Sequence, residues 1–183
     1  KKTRCEAGHV RAAKSKRILI MMHLYTHPDC EKHELAQHPE RPDRLRAVID
    51  RLVESGMTQE MRVKKAEELD DRALSLVHPA SYVDYLNRSE PKQSTIRLDA
   101  DTYMSPGSLR ASKLAAGACV DAITDILRKK TNRAFCAIRP PGHHAEIASA
   151  MGFCIFNNIA VAAEFALASQ DINRIAIVDF DVH

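Results

Sequence analysis

Apolar positions return along this chain with two different periods. Over residues 41–55 they fall at Leu45, Val48, Ile49, Leu52 and Val53, the spacing of one helical face, with Pro42 in the first turn and Gly56 just past the end. Over residues 108–128, Ala111, Ala115, Ala118, Cys119, Ala122, Ile123 and Ile126 line one face of a longer helix, while Arg110, Lys113, Asp121, Thr124 and Arg128 fall mostly on the other. Its small residues, Gly117 among them, permit close packing on a sheet. Residues 158–169 are apolar almost all round, which predicts a helix covered on both sides. Residues 70–76 and 80–87 read as short helices, with Tyr82 and Tyr85 as packing residues. Brief apolar runs at 18–22, 134–138 and 174–180 are too short for helices and read as buried strands. Strands alternating with helices at this spacing predict an α/β fold with a mostly parallel sheet and helices on both faces. Ligands in such folds bind in the loops after the carboxyl ends of the strands.

Composition narrows the partners. With 45% apolar and 28% charged residues, 183 residues suffice for one core. Lys and Arg outnumber Asp and Glu by 27 to 24, with a basic cluster before Ile18, so the remainder carries no basic stripe and nucleic acid is set aside as a partner. The five cysteines are odd in number and form no CxxC pair, which argues against a disulfide framework or a zinc knuckle and makes a reducing, cytoplasmic setting the expectation. No apolar run approaches the roughly 18 residues of a membrane span, and the basic start leads into too few apolar residues for a secretory signal. Residues 1–16 read as an unstructured extension, and 17–183 as a single domain.

Candidate chemistry gathers in the last third. Arg139-Pro140-Pro141-Gly142-His143-His144 places two adjacent histidines after a rigid turn that follows a buried strand. On an extended loop they point in different directions, so one can act as general base while its neighbour serves the leaving group. Asp179, Asp181 and His183 alternate along the last predicted strand and so share one face, bringing carboxylate and imidazole groups toward one point. A pair of strand-end aspartates capping loops is the bland alternative. His27, His33 and His38 sit six and five residues apart on no common face and read as solvated or locally hydrogen-bonded histidines. Arg44 lies at the edge of the first helix's apolar stripe and by itself reads as a solvated arginine.

Four stretches in order, HPERPDRLRAVIDRL, RPPGHHAE, GFCIFNNIAVAA and IVDFDVH, resemble the histone deacetylase superfamily, with its bacterial amidohydrolase and acetylpolyamine amidohydrolase relatives. The resemblance runs from about Ile18 to His183 and covers the N-terminal portion of that domain. It implies the arginase/deacetylase α/β fold and zinc-dependent hydrolysis of the acetamide of an acetylated lysine in a protein or of an acetylated small amine, releasing acetate. By the same resemblance Asp181 and His183 match zinc ligands, and His143 and His144 the tandem catalytic histidines. Asp179 matches the aspartate that orients the first histidine, and a monovalent cation such as K+ is implied near Asp179 and Asp181. Gly152 and Phe153 match the wall of the acyl channel, Arg44 the arginine beneath the metal, and Asp101 a residue gripping the substrate rim.

The third zinc ligand, the tyrosine that stabilises the oxyanion and the carboxylate partner of the second histidine are implied to lie beyond His183. The chain by itself is therefore expected to bind zinc poorly, to turn nothing over, and to expose apolar edges that favour aggregation. An oligomer is compatible with the sequence. Three alternatives stand beside this reading: an arginase-type dinuclear hydrolase, a cysteine hydrolase using Cys154, and a non-catalytic acyl-lysine binding fragment.

Overall fold

The computed structural model describes residues 21–169 and 171–182. Among them a three-stranded parallel sheet runs in the order β2-β1-β5, from β1 (Met22–Thr26), β2 (Met61–Lys65) and β5 (Ala134–Cys136), with Leu24 opposite both Val63 and Phe135. Of the predicted first strand, residues 18–20 lie outside the described residues; the described strand begins at Met22 and runs to Thr26 through His23 and Tyr25, past the predicted end. Polar side chains are tolerated there because Asp125 accepts a hydrogen bond from Tyr25 Oη at 2.5 Å and lies 3.0 Å from His23 Nδ1. The sequence reading passed over β2 because its composition, Met-Arg-Val-Lys-Lys, is mostly polar. The strand pairs only with β1 among the described residues, and Lys-rich exposed strands are usual at a sheet edge.

Helices cover both faces of this sheet. On one side α1 (Pro42–Glu54) packs Leu45 and Leu52 against Leu24 and Met61. Its predicted stripe is only half used, since Val48 and Val53 remain exposed. On the other side α4 (Ser108–Leu127) lays Ala118 and Ala122 on Tyr25 and Cys136. A methyl group on Gly117 would come within 1.9 Å of the Glu67 carbonyl oxygen, so glycine lets α4 lie against the chain leaving β2.

A further apolar cluster joins α2 (Asp71–Leu74), α3 (Ala80–Ser89), α4 and α5 (Asn158–Leu167) around Leu74, Val83, Leu86, Phe156 and Val161. Tyr82 belongs to it and donates to the Ile155 carbonyl at 2.8 Å, whereas Tyr85, one turn nearer solvent, is exposed and does not pack as expected. A small hairpin of β3 (Ile96–Arg97) and β4 (Tyr103–Met104) holds the acidic turn 99–101, braced by Arg97 donating to the carbonyls of Asp99 and Ala100. None of the described helices is long and apolar enough to cross a membrane.

Two expectations need correction. The helix at 158–169 ends at Leu167 and is covered on one side only, with Ile159 and Leu167 exposed. Residues 174–180 form no strand: no described strand pairs with them, and Val178, Phe180 and Val182 stand in solvent. Extended backbone becomes a strand only when a neighbour takes its N–H and C=O groups, and local sequence does not supply that neighbour.

Candidate active site

The turn after β5 is held from below by a buried ion pair. Arg139 and Glu40 are each about 2% exposed; Arg139 Nε and Nη2 donate to the two carboxylate oxygens at 2.9 and 2.5 Å, and Nη1 donates to the Cys30 carbonyl at 3.0 Å. A bidentate guanidinium–carboxylate contact fixes distance and orientation together. His33 closes this cluster, with Nε2 3.6 Å from Glu40 and Nδ1 2.7 Å from Ser108 Oγ. Burial pushes the His33 imidazole down to about 4, against the pull of Glu40, so it is neutral at ordinary pH. His33 is thus neither solvated nor locally bonded as expected, since it is buried and its partner Ser108 lies 75 residues away. His27 is locally bonded, its Nδ1 accepting the Asp29 N–H at 2.9 Å.

From above, the turn is held by the start of α5. Asn157 caps that helix through Oδ1 and donates from Nδ2 to the Ala145 carbonyl at 2.9 Å, and Asn158 donates to the Pro140 carbonyl at 3.3 Å. His78 joins the same support: Nδ1 bonds the Ile147 carbonyl at 2.9 Å and Nε2 accepts the Asn157 N–H at 3.0 Å, an arrangement that requires the neutral Nδ1–H tautomer. Burial lowers its pKa in agreement. A side chain on Gly142 would strike Asn158 N at 2.6 Å, so this glycine is what lets the turn and the helix meet.

On this support stand His143 and His144, ring centroids 4.2 Å apart. His143 Nε2 lies 3.6 Å from Asp181 Oδ2. His144 is seated on Gly152, where a Cβ would come within 2.7 Å of it. Phe153, with φ of +70°, stacks edge-on against His38 at 4.6 Å, and its N–H is taken by Thr102 Oγ1 at 3.0 Å. Asp101 precedes that threonine; its carbonyl lies 3.3 Å from His38 Nε2, so the acidic turn, His38 and Phe153 form one rim. Arg44, Pro39, Pro141, His143, His144, Gly152, Phe153 and Asp181 line a single cavity of about 230 Å³.

Six sequence-predicted residues therefore share one pocket. Asp101 sits at its rim, Asp179 lies beside it with Oδ1 accepting the Asp181 N–H at 3.0 Å, and His183 lies outside the described residues. Arg44 is mostly exposed, 3.8 Å from Glu40, at the mouth of the cavity. Among the described residues no three His, Cys, Asp or Glu side chains converge as a metal site. Of the two residues expected to hold zinc, Asp181 is the one described, and its carboxylate is a usual zinc donor. Cys154, the alternative nucleophile, is fully buried and its thiol is pushed up to about 11 by that burial, which rules against an activated thiolate. Sequence reasoning missed Glu40, Arg139, His33, His38, His78, Thr102, Asn157 and Asn158 as supports. Only Asn157, standing before an apolar helix, carried a legible capping signal.

Residues 38–183 match the histone deacetylase domain. The chain is 42% identical over 147 residues to Histone deacetylase 15 of Arabidopsis thaliana, covering 80% of this chain and 26% of that protein. It is 36% identical to human Polyamine deacetylase HDAC10, covering 87% and 24%, and 37% identical to the Histone deacetylase-like amidohydrolase of Pseudomonas aeruginosa, covering 81% and 38%. The crystal structure of the HDA15 HD domain superposes with a TM-score of 0.77 at 37% identity, over 82% of this chain and 44% of that one. The chain thus spans less than half the length of these relatives and carries part of the arginase/deacetylase α/β fold. The match to the histone deacetylase domain over residues 38–183, with the structural likeness over four fifths of the chain, places this chain in the histone deacetylase domain family.

Proposed function

We propose that this chain supplies the acyl pocket and the proton-transfer groups of a zinc-dependent deacetylase acting on acetylated lysine or an acetylated small amine. The observation that carries this reading is the cavity of about 230 Å³ in which His143, His144, Gly152, Phe153, Arg44 and Asp181 meet. Asp181 and His183 would hold the ion, with a third ligand and an oxyanion donor contributed by further chain. Zinc, when bound, supplies Lewis-acid polarisation of the amide carbonyl and of water.

The chain's own residues do the rest. Phe153 and Gly152 line the cavity that would take a slender acyl-amine, and His38 packs edge-on against Phe153. Of the two histidines, one accepts the proton of the attacking water and the other returns a proton to the departing amine. Their placement is fixed by Gly152 beneath His144 and by Asn157 and Asn158 behind the turn. Asp179 braces the Asp181 backbone, and a monovalent cation would bind near the two carboxylates.

The test is acetate release from an acetyl-lysine peptide and from an acetylated polyamine by the full-length protein carrying this chain. We expect turnover that chelation abolishes and zinc restores. His143→Ala and His144→Ala should each lose on the order of 10²–10⁴-fold in kcat, the usual worth of a positioned acid or base. Full activity in chelator, or in both histidine variants, would refute the reading.

A further inference from the structure

Thr102 is fully buried between Phe153, which lines the cavity, and Asp101 at its rim. Its hydroxyl serves both neighbours: Oγ1 accepts the Phe153 N–H at 3.0 Å and donates to Asp101 Oδ1 at 3.2 Å. Its carbonyl accepts the Leu98 and Asp99 N–H groups at 2.8 and 3.2 Å, which closes the acidic turn on the same residue. His38 supplies a second tie. Its Nδ1 accepts the Glu40 N–H at 3.1 Å, so the proton sits on Nε2, which donates to the Asp101 carbonyl at 3.3 Å, while the ring packs edge-on against Phe153. Asp101 itself is exposed. Its backbone and one carboxylate oxygen are thus held, and Oδ2 takes no hydrogen bond among the described residues.

We propose that Thr102 and His38 are positioning residues for substrate selection: together they aim the free Asp101 oxygen at a hydrogen-bond donor, an ammonium or an amide N–H, that the substrate carries beyond its acetamide. This selection rests on the deacetylase reading proposed above. A loose aspartate side chain loses rotamer freedom when it grips a ligand, whereas one already held by a buried hydroxyl has less to lose. A bond to a carboxylate is also stronger than a neutral one, so its direction matters more. The same hydroxyl fixes the backbone of Phe153, which stands at φ of +70°, and so wall and grip keep a set separation. Valine at position 102 would fill nearly the same volume but bond neither group, so packing alone does not account for the threonine.

The test gives the full-length protein carrying this chain three amides: a monoacetylated diamine with an ammonium, an acetyl-lysine peptide with backbone N–H groups, and N-butylacetamide, which has no donor past its acetamide. Each is followed by acetate release and by calorimetric Kd, the latter needing no turnover. The unaltered protein should prefer one or both of the first two over the third, and the one preferred identifies the donor. Thr102→Val should lower that preference on the order of tenfold, mostly in KM or Kd, and Thr102→Ser should restore it. His38→Phe, which keeps a ring against Phe153, should lower it as well. In an Asp101→Ala background Thr102→Val should lower it no further, because both changes act through one carboxylate. An equal loss on all three amides, additive losses in the double variant, or an unaltered protein without preference overturns the inference. If Thr102→Val fails to fold, His38→Phe alone and combined with Asp101→Ala decides by the same criteria, since neither side chain is buried. Binding without acetate release would sink the deacetylase reading, while the Kd ratios would still settle the roles of Thr102 and His38.

Discussion

At position 152 a methyl group would meet the His144 side chain at 2.7 Å, and the backbone already holds φ at +56°. Gly152→Ala is therefore expected to cost about 1–3 kcal/mol through clash and left-handed strain, read as a lower urea midpoint. In the full-length protein it should reduce kcat by more than its stability loss explains, because His144 must move. His33 makes a different prediction. Its folded pKa of about 4 lies below the ordinary 6.5, so the unfolded chain takes up a proton that the folded chain refuses. This contribution to stability is complete above pH 6.5 and is lost as pH falls through that value toward 4; the share lost between pH 7 and pH 5 is about 2 kcal/mol. Urea titrations across that range should show the loss. His33→Gln should be less stable at neutral pH yet flatter in its pH dependence, and an equally steep profile in the variant would remove His33 as the cause.

Elements are tied together by buried polar groups as much as by apolar ones. Asp125 on α4 serves His23, Tyr25 and Lys130 at 3.0, 2.5 and 2.9 Å, linking the helix to β1. Burial opposes its ionisation, but the hydrogen bonds from Tyr25 and Lys130 and the charges of Lys64 and Lys130 outweigh it and hold the carboxyl well below the usual range. Asp125→Ala leaves the His23 imidazole and the Tyr25 hydroxyl without their acceptor and is expected to cost about 2–4 kcal/mol in thermal or urea unfolding. Asp125→Asn, which keeps an acceptor, should cost less. Glu40 and Arg139 make the corresponding link between the segment before α1 and the turn after β5.

At the scale of the molecule, order is unevenly distributed. β1 is paired on both sides and covered by α1 and α4, whereas residues 174–182 have exposed backbone and border a gap of about 750 Å³ beneath them. Hydrogen exchange is expected to be slow in β1 and fast throughout 174–182, with protection of the latter equal to that of β1 counting against the description. Phe180→Ser should change the stability of the chain by no more than about 0.5 kcal/mol, since its ring touches so little, and a larger loss in urea unfolding would show a contact that the structure lacks.

The sequence by itself determined α1, α3, α4 and most of α5, because an amphipathic or apolar helix carries its own hydrogen bonds and its period is written locally. It also singled out His143, His144, Gly152, Phe153 and Asp181 as candidates, since they lie in short motifs, and the structure brings them to one cavity. It did not determine β2, whose lysines suit an edge, or the fate of 174–180, whose apolar run needed a neighbouring strand. Nor could it pair Glu40 with Arg139, 99 residues away. Such contacts depend on where two distant segments come to rest. The order β2-β1-β5 and the close seating of α4 decided that, and with it how the paired histidines are held.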